Sequence, residues 1–464
     1  MDLSHAAPAP SAGRGDFARA LLGLGAALSV AGFGALAGVP DLWVSALLGG
    51  VAARAAGEAL AQSLRDPGLR RVAVGAYAVA SLVGAFVLWD NHSNTGLLYA
   101  PNFDESFYYH NARRIADLGL DATTHWTLFD VLLAGWCAAL GSVKELTPAD
   151  ALPLNWSLTA VCAALAAGAA REAVGSAPPL RWQLAVTLAQ AQVLVTAVCL
   201  FRDMLVAVGF VGATLFALRR SLGATLACVA VAGATRGGHG FLAALVAFTL
   251  WAVGTRAFAR NPRTYGAIGA AVLVAAVALA STASSRLLSG RVGEDGEGDV
   301  AAAVSERTRT WTEGYAQTGQ SLGARVMGLG PVGYPLRMVS GYFAPVVLRD
   351  ATFEKSLNSL FLPGSMGDRY TVRGHFLFTY FEWLTALLWP VTAPILVLGM
   401  TRLAGGTRRQ RALLAGLAAA FLAVMVISMQ ERHRVAVLAL NPVFAAAALA
   451  RPWTPAERRL VRRG

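Results

Sequence analysis

The sequence predicts an all-α polytopic membrane protein with about 11–13 transmembrane helices and large loops on the outer side. Three observations carry that prediction. Of 464 residues, 56% are hydrophobic and 14% charged, and mean hydropathy is +0.52; an ordinary soluble domain carries roughly 25% charged residues. Apolar runs of about 20 residues recur along the chain, the length an α-helix needs to cross the hydrocarbon core. The formal net charge is +12, with pI near 10.1, and arginines gather between the runs. Such a chain is not a soluble cytoplasmic enzyme, a disordered protein or a disulfide-stapled secreted module. The basic excess reads as arginine-rich cytoplasmic loops rather than as nucleic-acid binding.

The elements follow in order. Segments 17–38, 42–62, 70–89, 153–171, 182–200, 203–218, 239–257, 264–282, 376–400, 411–429 and 435–450 are continuous and rich in Ala, Leu and Val. A barrel strand alternates over roughly 10 residues, so these are helices. The run 128–141 is below spanning length and reads as re-entrant or interfacial. The run 222–233 is also short, but the charge pattern requires it to cross. The first run has no small-residue cleavage site and leads straight into another span, so no cleavable signal peptide is expected. Cys137, Cys162, Cys199 and Cys228 lie in apolar stretches without C-x-x-C spacing and read as buried reduced thiols.

Orientation comes from the arginines. Arg14 and Arg19 open the first span, and Arg65, Arg70 and Arg71 stand between the second and third. With both groups cytoplasmic and 128–141 not crossing, Arg171, Arg181, Arg219, Arg220, Arg256 to Arg263, Arg402 to Arg411 and Arg458 to Arg463 also fall inside. The organisation is then a cytoplasmic tail 1–16 and a transmembrane module 17–282 with a first outer loop 90–128. A large outer loop 283–375, transmembrane helices 376–450 and a basic cytoplasmic tail 451–464 complete it. The expected location is the inner (cytoplasmic) membrane, multi-pass, with chemistry on the outer face, where large loops gather.

Four places on that face carry candidate residues. The string 102–110 holds Asp104 and Glu105 ahead of an amphipathic surface helix with Phe107, Tyr108, Ala112, Ile115 and Leu118 on one face. A carboxylate here can take the proton of an attacking hydroxyl; equally, Asn102 and Glu105 form a capping-box pattern. Arg202-Asp203 stands between two apolar runs, suited to an anion (Arg202) and to an acceptor or metal (Asp203), or else a boundary pair with a snorkelling arginine. Arg236-Gly237-Gly238-His239-Gly240 breaks an apolar region where backbone N–H groups and a guanidinium suit phosphate. Its plain alternative is an inter-helix turn. His239 lacks a second ligand at metal spacing. Glu431-Arg432-His433-Arg434 sets two cations where the charge rule disfavours them, suited to a phosphate leaving group. In 283–375 the single candidate is Arg373. No P-loop occurs, and Gly328 to Gly333 matches G-x-G-x-x-G only by chance spacing.

This order resembles the GT-C-type integral membrane glycosyltransferases. An Asp-Glu in the first outer loop is followed by a surface helix, an Arg-Asp turn, an Arg-Gly break, a late outer loop and an Arg-rich turn before a final Pro-containing helix. The Arg202-Asp203 and 431–434 elements are also similar to surface-polysaccharide repeat-unit polymerases. The resemblance implies a GT-C-like bundle and Asp104 as general base. It also implies a polyprenyl-phosphate-linked sugar donor in a groove open to the bilayer. The acceptor would be a hydroxyl on a glycan, lipid or protein. A divalent metal is compatible with it but required by nothing in the sequence. A repeat-unit polymerase or a non-enzymatic lipid or solute transporter are the alternative readings.

Overall fold

The computed structural model describes residues 12–98, 105–122, 126–188, 190–254, 260–261, 339, 342, 375–427 and 434–450. The expected span at 264–282, most of the large loop 283–375 and the tail 451–464 lie outside them, as do Asp104, Arg373 and Arg432. Among the described residues the secondary structure is helical, without strands. The helices are α1 (Ala12–Leu36), α2 (Leu42–Leu64), α3 (Gly68–Thr95), α4 (Glu105–Leu118), α5 (Leu128–Gly141), α6 (Leu152–Val174), α7 (Leu180–Leu188) and α8 (Ala191–Val198). They continue with α9 (Asp203–Leu218), α10 (Leu222–Thr235), α11 (Gly237–Ala252), α12 (His375–Ala404), α13 (Arg408–Ile427), α14 (Val435–Leu438) and α15 (Asn441–Leu449).

Among the described residues, four helical stretches are long and apolar enough to cross a membrane: Leu42–Leu64, Gly68–Ser93, Pro148–Val174 and Leu384–Ala404. Shorter apolar helices, α9, α10 and α11 among them, pack beside them. In the most apolar part of α6, 83% of residues are buried, against 33% in α2. The central helix is therefore α6, while α2 turns Trp43, Leu47 and Val51 outward, as a lipid solvent permits. On α3, a Cβ at Gly84 would stand 2.4 Å from Trp156 Nε1. The missing side chain lets the fully buried Trp156 ring of α6 lie against α3.

Ion pairs fix the two ends of the bundle. At one end Lys144 Nζ bridges Asp41 Oδ2 (2.7 Å) and Asp150 Oδ1 (2.9 Å). Ser45 Oγ donates to Asp150 Oδ1 at 2.5 Å, and Thr147 N donates to its Oδ2 at 2.8 Å. This joins the α1–α2 turn to the start of α6. At the other end Arg171 pairs with Asp66, joining the end of α6 to the α2–α3 turn. Thus α3, 28 residues long, carries the chain from the Asp66 end back to the Asp41 end, where α4 and α5 follow before α6 begins. The 14 residues of α5 span roughly 21 Å and lie against α4. Thr127 and Asp130 start α5 with a reciprocal capping box.

Two runs expected as single helices are divided. Residues 182–200 become α7 and α8, with Gln190 extended at φ −126°. Its side chain donates to the Tyr342 carbonyl at 3.2 Å, so a long-range contact accompanies the break. Residues 435–450 become α14 and α15, and α15 begins Asn441-Pro442. Proline lacks an N–H and its ring favours a helix start, which sets the interruption there.

Candidate functional site

The Arg202-Asp203 turn is held by the helix behind it. The short helix α8 ends inside the bundle, where its last carbonyls cannot reach water and need donors. Side chains of α6 supply them. Asn155 Nδ2 donates to Thr196 O at 2.6 Å and also to Cys199 O. Trp156 Nε1 donates to Val198 O and Thr159 Oγ1 to Ala197 O, both at 3.1 Å. Phe201, 5% exposed, follows, and Asp203 is the first residue of α9. Its carboxylate stands where the helix dipole favours negative charge. Arg219, just past the far end of α9, faces Glu172 and Ser63 at the Asp66 end. Asp203 is therefore at the Asp41 end, about 24 Å away along the axis.

Arg236 reaches the same place from α10. It is extended between α10 and α11, with φ −157° and ψ 104°. Its Nη1 meets Asp203 Oδ1 at 2.5 Å, with Asp203 2% and Arg236 14% exposed in their side chains. The close α9–α10 approach depends on Gly209, where a Cβ would stand 2.7 Å from Ala232 N. The glycines after Arg236 divide in function. At Gly240 a Cβ would come within 2.6 Å of Gly233 Cα, so Gly240 serves the α10–α11 crossing. At Gly237 and Gly238 it would meet nothing within 4 Å, and both residues are exposed. His239 is buried, and its backbone N–H donates to Arg236 O at 2.9 Å.

The surface helix α4 joins this cluster through Tyr108. The Arg202 guanidinium carbon lies 5.7 Å from the Tyr108 ring centroid, in cation–π contact. Tyr108 is buried and meets Phe129 of α5 edge-on at 5.5 Å. Glu105 is the first residue of α4, three positions before Tyr108. Burial, the largest effect, pushes the Tyr109 phenol up to about 12 and the Cys137 thiol up to about 11. Both are neutral near pH 7, so neither is a ready proton acceptor. Arg434 is buried at the start of α14, which packs on α9.

Of the sequence candidates, the structure brings Arg202, Asp203 and Arg236 to one end, with His239 three positions after Arg236. Four atoms of this region and its surroundings stand out chemically. Asp203 Oδ2, Arg202 Nε, Asn155 Oδ1 and Asp130 Oδ1 are buried and, among the described residues, have no hydrogen-bond partner. Sequence reading placed Tyr108 only on an apolar helix face and gave Asn155 no role. An aromatic on that face signals burial, but its cation is more than ninety positions away and leaves no local pattern. A second polar junction joins the two interrupted helices. The Tyr342 hydroxyl donates to Asn441 Oδ1, Gln190 bonds the Tyr342 carbonyl, and the ring packs edge-on against Phe421 at 5.1 Å. A comparison with known protein families, curated proteins and solved structures finds no match to this chain.

Proposed function

We propose that the chain is a polytopic GT-C-like glycosyltransferase of the cytoplasmic membrane, moving a sugar from a polyprenyl-phosphate carrier to an acceptor hydroxyl on the outer face. The supporting observation is the meeting of three elements that the sequence holds far apart. The Tyr108 face of α4, the Arg202-Asp203 turn and the Arg236 break gather at the Asp41 end of the helical bundle. In this reading the Asp41 end is the outer one. Asp104, immediately before α4, takes the acceptor proton as the hydroxyl oxygen bonds to the anomeric carbon. The bond from that carbon to the carrier phosphate oxygen breaks, and the electron pair leaves with the phosphate. A single displacement inverts the anomeric centre. Arg202, Arg236 and Arg434 offer permanent countercharge where little water screens it, and Arg432, two positions before Arg434 in the sequence, would add to it. Asp203 neutralises much of Arg236, so Arg202 carries a larger part of that countercharge.

Purified protein supplied with polyprenyl-phosphate hexoses and a glycan or lipid acceptor tests the reading. Wild type should release polyprenyl phosphate and form an inverted glycoside, and Asp104→Asn should lose at least 100-fold in rate while unfolding at the same temperature. Equal turnover by that variant rejects Asp104 as the base. A second reading, a carrier that moves lipid-linked substrates intact, draws on the interruptions between α7 and α8 and between α14 and α15, since discontinuous helices are frequent in transporters. It predicts passage across a liposome membrane with no glycosidic bond broken.

A further inference from the structure

The turn that opens α9 holds an acceptor and a donor that the described chain leaves unused. Asp203 is 2% exposed, its Oδ1 is engaged by Arg236 at 2.5 Å, and among the described residues its Oδ2 has no hydrogen-bond partner. The neighbouring Arg202 rests on the Tyr108 ring, and its Nε–H is likewise buried and unbonded among the described residues. Asp150, equally buried at the same end, shows the contrast. Its Oδ1 accepts from Ser45 and Lys144, and its Oδ2 from the Thr147 N–H and hydroxyl. Asp150 is a finished structural carboxylate, whereas Asp203 is finished on one oxygen only. Leaving a buried acceptor unmet is costly, and such an atom in a folded protein calls for a specific reason.

The chemistry of the missing group is narrow. A carboxylate accepts, so the group must bring a proton or a positive charge. A metal ion or an ammonium would stand beside the Arg236 and Arg202 guanidiniums, and like charge opposes it. A neutral hydroxyl meets no such opposition. It donates to Asp203 Oδ2 and keeps its lone pairs for a donor such as Arg202 Nε–H. We propose that Asp203 is a specificity-determining residue that accepts a hydrogen bond from a hydroxyl of the sugar on the donor lipid. This assignment rests on the glycosyl-donor reading above and adds that the sugar must carry that hydroxyl.

Full-length protein in detergent is titrated with polyprenyl phosphate and with polyprenyl-phosphate hexoses, and binding is read by thermophoresis. Wild type should prefer a hexose-bearing lipid by roughly 10- to 100-fold, the worth of a hydrogen bond to a charged group. Asp203→Asn, which keeps one carbonyl oxygen for Arg236, should lose most of that preference while binding polyprenyl phosphate at least as tightly as wild type, since the Arg236 charge is no longer neutralised. Should that variant fail to fold, deoxyfluoro analogues of the preferred hexose on wild type replace it: substitution at one position should remove the preference. A preference that survives Asp203→Asn, or every single fluorine substitution, overturns the assignment, as does a wild type without preference. Transfer with an Asp203-independent preference sinks this assignment alone. An Asp203-dependent preference without transfer sinks the transferase reading alone.

Discussion

Asp203 and Arg236, 33 positions apart, form a 2.5 Å ion pair that ties the start of α9 to the break between α10 and α11. Both side chains are largely out of solvent, so removing either strands the other charge. Asp203→Ala or Arg236→Ala should each destabilise the fold by roughly 3–5 kcal/mol, and the double variant by less than the sum. Denaturation in mild detergent measures this; strictly additive losses would show that the two groups do not interact.

Tyr108 couples the surface helix to that pair through Arg202. Tyr108→Phe keeps the ring and with it the contact to Arg202. Tyr108→Leu removes the π face and part of the buried volume, and about 1 kcal/mol of its cost should belong to the lost cation contact. In an Arg202→Met background the loss at Tyr108 should shrink, since the cation is already gone. A Tyr108→Leu cost unchanged in that background would assign the ring to packing alone.

Gly209 sets how closely α10 approaches α9. Gly209→Ala would press its methyl group onto the backbone of Ala232 and Cys228, atoms that no rotamer change can move aside. A loss of roughly 1–3 kcal/mol is expected. The partly buried thiol of Cys228 should also react faster with a maleimide, because α10 is displaced. Unaltered melting and labelling would argue against so tight a crossing.

Lys144 is the buried hub of the Asp41 end, with its side chain 7% exposed and both Asp41 and Asp150 within 2.9 Å. Lys144→Met fills the same space but leaves Asp150 without a countercharge, and roughly 3 kcal/mol of stability should be lost. Asp150→Asn added to that variant should recover part of it. No recovery would mean that charge is not what Lys144 contributes.

The two ends should face opposite sides of the membrane. A cysteine at exposed His110 should react with an impermeant maleimide in intact spheroplasts. One at exposed Arg65 should react only after permeabilisation. Labelling of both from one side would contradict the orientation read from the arginines.

Composition and period alone determined that this chain is helical and apolar enough for a bilayer. A continuous run of Ala, Leu and Val as in α6 can satisfy its backbone in lipid only as a helix. The Arg202-Asp203 and Arg236-Gly237-Gly238 strings were legible as breaks, because charge and glycine interrupt apolar runs locally. What the sequence could not reveal was who meets whom. Arg236 looked like a free cation for phosphate, and the fold commits it to Asp203. Gly240 looked like part of a ligand loop, and the fold uses it to cross Gly233. The interruption at Gln190 has no local signal, since its counterpart Tyr342 lies 152 positions on. Periodicity acts between neighbours within a turn or two of helix, whereas burial and charge pairing act across space, so only the packed bundle decided these partners.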